Sequence, residues 1–244
     1  MNTLALNIQD LCKSFGAKQA VDRLNLQVKR GEFYALLGAN GAGKTTTLRM
    51  IAGLLEPDSG DAAIAGHSIT ETPMAAKQVL AYVPDEPLLY GKLRPMEYLE
   101  FVAGLWSIPP NVAQPTAQDL LERMELWDAR DKFCESFSRG MKQKLMLAAA
   151  FIHSPTLMIL DEPLLGLDAS AARLVKDMIA EFIREGNSVV MTTHIMEIAE
   201  RIASRIGIIR DGRLLAEGSL DELAHQAGTT DGTLESIFIS LTSA

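Results

Sequence analysis

The chain has 244 residues, 48% of them hydrophobic and 22% charged, the profile of an ordinary globular protein with room for one large domain. A net charge of -8 excludes the basic stripe that would advertise nucleic-acid binding, although backbone amides and a few placed cations can still bind phosphate locally. Two cysteines, Cys12 and Cys134, exclude a disulfide framework and suit a reducing compartment, and the longest apolar run, Leu145–Ile152, falls far short of the ~20 residues of a membrane span.

The opening MNTLALNIQD has no basic stretch followed by an apolar one, so no secretory leader is expected. Short β-like runs come first, at Leu4–Ile8 and Leu24–Val28. EFYALLG then reads as a buried strand that runs straight into a glycine loop. A helix is expected from Lys44 to about Ala52, ended by Gly53 and Pro57. DAAIAGHSI has the pattern of an edge hairpin strand, and VLAYV that of another buried strand.

From Asp85 to Ile152 helices dominate: Met96–Trp106, Ala117–Leu126 and Gly140–Ile152, with Pro109, Pro110 and Pro115 expected to break the first from the second. The alternation of strand and helix then resumes with strand TLMIL, helix Ala171–Arg184, strand SVVMTT and helix Ile195–Ala203. RIGIIRDGRLLAEG forms a hairpin with Asp211-Gly212 at its turn, followed by a helix at Leu220–Gln226 and a short amphipathic tail, LESIFISL. This order argues for an α/β fold whose mainly parallel sheet is covered on both faces, with a helical part inserted into it.

GANGAGKT, Gly38 to Thr45, fits the phosphate-loop pattern G-x-x-x-x-G-K-[ST] in full. Gly38, Ala39, Asn40, Gly41, Ala42 and Gly43 let backbone N–H groups face phosphate oxygens, and the helix that follows adds roughly +0.5 charge at its N-terminus. Lys44 is expected at the β- and γ-phosphates, the Thr45 hydroxyl at Mg²⁺, and Thr46 beside them. LMILDEP ends a buried strand in two carboxylates, which is costly unless they face a cation or water. Asp161 would hold Mg²⁺ through a coordinated water, and Glu162 would orient and deprotonate the attacking water. His194 follows a strand end expected beside that carboxylate strand and is assigned a γ-phosphate contact; His67, His153 and His225 are read as structural, and Trp106 and Trp127 as core. A second anion cradle, FSRGM, opens the helix near Gly140. That helix, of about fourteen residues, is ~21 Å long, so spacing leaves open which phosphate its start serves.

The order of phosphate loop, helical insert, SRGMKQ, LMILDEP, GLD and TTH resembles the nucleotide-binding subunit of ABC transporters, from about Leu6 to Gly218. The resemblance implies a P-loop NTPase (RecA-like) core with an antiparallel β subdomain and an inserted α-helical subdomain. Residues 1–84 and 153–218 would form the core with its β subdomain, 85–152 the helical subdomain, and 219–244 a short C-terminal tail. It implies that Phe15 stacks on adenine, and that Ser138 and Gly140 face the γ-phosphate held by a second cassette. Asp168 would belong to the loop that crosses between paired cassettes. Asp85 stands where the family usually has glutamine, close to Mg²⁺ and the attacking water. Arg139 and Met141 stand where glycine and glutamine are common, Arg139 being expected to point away from the phosphates, and Leu164 and Leu165 replace more polar residues before GLD.

The function implied is ATP hydrolysis with Mg²⁺ by a subunit that dimerises around ATP, with itself or a paralogue. It would drive a separate transmembrane permease of export type through the surface near Asp85–Tyr90. Such a chain would be cytoplasmic, peripheral on the membrane through the permease alone, and without a nucleic-acid partner. The alternative is a soluble ABC-type ATPase acting on nucleic acid or ribosomes, whose relatives usually carry two cassettes or a coiled-coil insertion. A metabolite kinase would leave SRGMKQ and Glu162 without a purpose.

Overall fold

Two long antiparallel strands, β1 (Leu4–Phe15) and β2 (Lys18–Lys29), begin the fold. The structure, a computed structural model, describes residues 4–228 and 233–243; residues 1–3 and 244 of the expected core and tail ranges, with 229–232, lie outside the described residues. The first two strands are longer than the expected Leu4–Ile8 and Leu24–Val28, because register shifts between Leu4 and Ser14 interrupt the apolar/polar alternation that marks a strand. Strand β4 (Ser59–Ile64) pairs with β1, and the two-residue β5 (His67–Ser68) forms the edge beyond β4. The four make one antiparallel sheet ordered β2-β1-β4-β5.

The second sheet holds β3 (Phe33–Leu37), β6 (Leu80–Val83), β7 (Leu157–Asp161), β8 (Ser188–Thr192), β9 (Arg205–Arg210) and β10 (Arg213–Gly218). Its order is β10-β9-β3-β8-β7-β6, parallel except for the β9–β10 hairpin. Strands β3, β7 and β8 are buried along their whole length, which is why they read as unbroken apolar runs rather than alternating ones. Strand β8 lies between β3 and β7, so the loop after β3 and the carboxylates after β7 emerge at the same end of the sheet.

Tyr34, Leu36, Leu157, Ile159 and Val190 face α1 (Lys44–Ile51) and the antiparallel sheet in one core. Phe33, Met158, Leu160, Val189 and Met191 face the other way, into a core shared with α3 (Pro95–Leu105), α4 (Pro110–Arg123), α5 (Arg139–Phe151) and α6 (Ala169–Arg184). The helical part thus shares one continuous apolar core with the sheet. A short helix, α2 (Pro73–Gln78), absent from the expected elements although Thr72-Pro73 is a helix-start pair, precedes β6.

Pro109 and Pro110 do separate α3 from α4, but Pro115 lies inside α4 rather than ending the break. It is the sixth residue of the helix and exposed, so it forfeits one N–H bond, while Ala113, Ala117, Leu120 and Leu121 bury the opposite stripe. Helix α7 (Met196–Ile202) follows β8. The expected tail folds as α8 (Leu220–Ala227) and α9 (Leu234–Ser243), whose Leu223, Leu234 and Ile237 are fully buried against Ala35, Ile206 and Ile208.

His153, the first residue past α5 and its cap, closes the seam between the helical part and the sheet. Its ring stacks on Trp106 at 4.1 Å and its Nε2 lies 3.0 Å from the Leu80 carbonyl, while burial lowers its pKa.

Candidate functional site

The loop between β3 and α1 is shaped by what cannot fit there. A Cβ on Gly38 would stand 2.5 Å from the Ile209 carbonyl oxygen, and one on Gly43 2.4 Å from that of Ala20. Gly43 also holds φ at 109°, a conformation only glycine adopts at low cost. The loop therefore presses on β2 and the β9–β10 hairpin. The Lys44 side chain turns back into the curl, its Nζ donating to the carbonyls of Gly38 at 2.6 Å and Ala39 at 3.2 Å. Burial pulls its pKa down, and the carboxylates of Glu162 and Asp161 pull the other way. The three charged groups therefore lie within reach of one another.

Strand register sets the rest. Asp161 ends β7 opposite Thr192, whose hydroxyl donates to Asp161 Oδ1 at 2.5 Å. The other oxygen, Oδ2, is buried without a hydrogen-bond partner among the described residues. A buried carboxylate oxygen left open is costly, and the arrangement fits a hydrated divalent cation on that side. No three His, Cys, Asp or Glu side chains cluster as metal ligands among the described residues, so a cation here would need hydroxyl, water and phosphate oxygens as well.

Glu162 turns sharply away from the strand, with φ at 49° and its N–H bonded to the Thr192 carbonyl at 3.1 Å. Its Oε1 lies 2.9 Å from Nδ1 of His194; the carboxylate is 17% exposed and the imidazole 57%. The strand-end carboxylate and the strand-end histidine are therefore brought together.

A groove of about 230 Å³ runs along the loop, lined by Phe15, Lys18, Ala20, Asn40, Gly41, Gly43, Lys44, Thr45 and Thr46. Phe15 is 53% exposed at the end of β1, so its ring is available rather than buried in the core. Asp85 follows β6 on the exposed surface, its Oδ1 accepting the Glu86 N–H at 2.9 Å. Its field reaches the hydroxyl of Tyr82, which burial, Asp161 and Asp85 all push to a higher pKa.

Ser138 and Gly140 lie elsewhere. Ser138 caps α5, its Oγ accepting the Met141 N–H at 3.2 Å, and Asp168 caps α6 through the Ala171 N–H at 2.8 Å. The two caps touch. A Cβ on Gly140 would meet the Gly166 carbonyl oxygen at 3.2 Å, and the Arg139 side chain lies against Gly166. Ser138, Gly140, Asp168 and Asp85 line neither this groove nor a second cavity of about 560 Å³ that also borders the loop.

The site also contains residues that sequence reasoning missed: Lys18, on the wall of the groove, and Thr192, which fixes Asp161. Only the TT before His194 hinted at the second.

Residues 21–165 match a family model described as "ABC transporter", and 134–200 match a shorter one described as an AAA domain, putative AbiEii toxin, Type IV TA system. The chain is 34% identical over 237 residues to the ABC-type transporter ATP-binding protein EcsA of Bacillus subtilis, covering 97% of this chain and 96% of that one. It is 35% identical over 246 residues to the linearmycin resistance ATP-binding protein LnrL of the same organism, covering 98% and 79%. A solved structure of the ATP binding subunit of an ABC transporter superposes with a TM-score of 0.92 at 34% identity, covering 98% of this chain and 99% of that chain.

Proposed function

The chain belongs to the ABC transporter family as an ATP-binding subunit and ATPase of ABC-2 type, and on that premise we propose that two such cassettes close around ATP to drive a separate membrane permease. One observation carries this reading. A single chain holds two polar clusters that a closed nucleotide site needs, yet keeps them apart. The loop, Asp161, Glu162 and His194 meet at one end of the sheet, while Ser138 and Gly140 sit with the 166–168 loop outside both neighbouring cavities. Two copies related by a two-fold axis place each second cluster over the other's first.

In this scheme Phe15 stacks on the adenine, the amides of residues 38–46 cradle the phosphates, and Lys44 neutralises the outer two. Thr45 and Asp161 would hold Mg²⁺, with Asp85 as a further candidate ligand; when bound, the ion would neutralise charge developing on the phosphates. Glu162 accepts a proton from the attacking water, and His194, bonded to that carboxylate, orients it and reaches the γ-phosphate. Ser138 and Gly140 of one cassette complete the pocket of the other. Differential affinity of ATP for the closed pair supplies the force, and hydrolysis releases it.

The permease is expected at the apolar surface near Asp85–Tyr90, where Leu88 and Tyr90 are exposed and the Tyr90 ring packs edge-on against the exposed Phe101 at 5.1 Å. Among the described residues no helix is long and apolar enough to cross a membrane.

Mixing chains tests the composite pocket. A Lys44→Ala chain and a Ser138→Arg chain are each expected to be inactive, and their heterodimer retains one intact site. Activity in the mixture that neither parent shows supports the arrangement. Its absence, with heterodimers verified, overturns it.

A further inference from the structure

We propose that Lys18 is a second cation of the nucleotide site, contacting the ribose-proximal end of the phosphate chain, so that it strengthens ATP and ADP binding alike. This inference rests on the ATP-site reading above and assigns a residue that reading does not use.

Three observations place it there. Lys18 and Phe15 are cross-strand partners at the tip of the β1–β2 hairpin, joined through Gly16 and Ala17, so the aromatic platform and the ammonium are held as one unit. The Lys18 ammonium reaches the outer face of the loop, 3.7 Å from where a Cβ of Gly41 would stand. Finally, the 230 Å³ groove and a larger cavity of about 560 Å³ on the other side of the loop share Lys18, Asn40 and Gly41, so this side chain stands on the rim between them.

The neighbouring cations are already committed. Lys13 Nζ is 2.8 Å from Asp58 and 2.7 Å from the Glu56 carbonyl. Arg210 donates to the Thr242 carbonyl at 2.8 Å and faces Asp211 at 3.6 Å. Lys44 is inside the curl of the loop. Among the described residues Lys18 has no carboxylate partner. An exposed, unpaired ammonium between a base platform and a phosphate loop has a polyphosphate as its natural counter-ion. A nucleotide with its base on Phe15 and its outer phosphates beside Lys44 must pass its inner phosphate along this rim. That position separates the two lysines: Lys44 belongs to the end that hydrolysis changes, and Lys18 to the end shared by ATP and ADP.

The test is equilibrium binding of ATP and of ADP, with magnesium, to the wild-type chain and to Lys18→Gln, Lys18→Arg and Lys44→Ala, at low and high salt. Lys18→Gln is expected to weaken both nucleotides equally, by about three- to tenfold for a partly exposed charge contact. The loss fades at high salt as screening removes the contact, and arginine restores affinity. Equal affinities for Lys18→Gln and wild type overturn the proposal while leaving the ATP site intact. So does weakening of ATP alone, which would move the contact to the terminal phosphate, or a lowered melting temperature with unchanged affinity, which would make Lys18 structural. If Lys44→Ala binds as tightly as wild type, the ATP-site reading itself fails.

Discussion

The polar residues at the ends of β3, β7 and β8 and those at the starts of α5 and α6 are both loop clusters, but they are built on different supports. At the strand ends, position comes from sheet register: Asp161 opposite Thr192, Glu162 hydrogen-bonded to it, and Lys44 buried beside both carboxylates. At the helix starts, Ser138 and Asp168 spend their side chains on their own helices' N–H groups. The first cluster leaves buried charges and a carboxylate oxygen open to a cation or a water. In the second the side chains are already used as caps, and the remaining first-turn N–H groups of the helices are left for something arriving from outside. The lesson is that a strand end can store unmet chemistry, because neighbouring strands prevent its relaxation, whereas a helix start presents a finished surface.

Glu162→Gln tests the first cluster most severely. Turnover is expected to fall by about 10²–10⁴-fold, the range for loss of a general base, with ATP binding retained and an ATP-dependent dimer trapped. Phosphate release, nucleotide binding and sizing read the three effects, and near-normal turnover would remove Glu162 from the role of base. Asp85→Asn probes the border of that cluster, since Asp85 and Asp161 act on the same Tyr82 hydroxyl. A several-fold shift in the magnesium concentration for half-maximal activity is expected, and an unchanged titration would place Asp85 outside the metal's surroundings. Ser138→Ala is the mildest probe. Loss of the cap should cost about 1 kcal/mol of stability, measured by denaturant titration, without changing ATP affinity of the isolated chain. A drop in that affinity would draw Ser138 into its own chain's pocket and collapse the distinction between the clusters.

Much of the strand-end cluster was legible in the sequence. Fully buried parallel strands give unbroken apolar runs, and a polar residue ending such a run stands out, as Asp161 and His194 do. That the two strands are neighbours was legible too, but the direct contact of Glu162 with His194 was not, since it depends on the backbone turn at Glu162. Pro115 misled because the sequence rule treats proline as a breaker, whereas its cost is tolerable on the exposed side of an early turn when four other residues bury the opposite stripe. The ends of β1 and β2 were hidden by bulges. The burial of Leu234 and Ile237 depends on what lies across the fold from them, which no local pattern states. Lys18 escaped notice for the same reason: only the hairpin register brings it beside Phe15 and up to the loop.

Glu162 holds a left-handed backbone that an L residue with a long side chain adopts at a cost of about 1–2 kcal/mol. A glycine would sit there in comfort. A laboratory screen rewarding heat resistance alone would therefore drift toward erasing this carboxylate, and its survivors would be sturdier proteins that no longer burn fuel. Stability engineering of this chain has to be scored for turnover at every round.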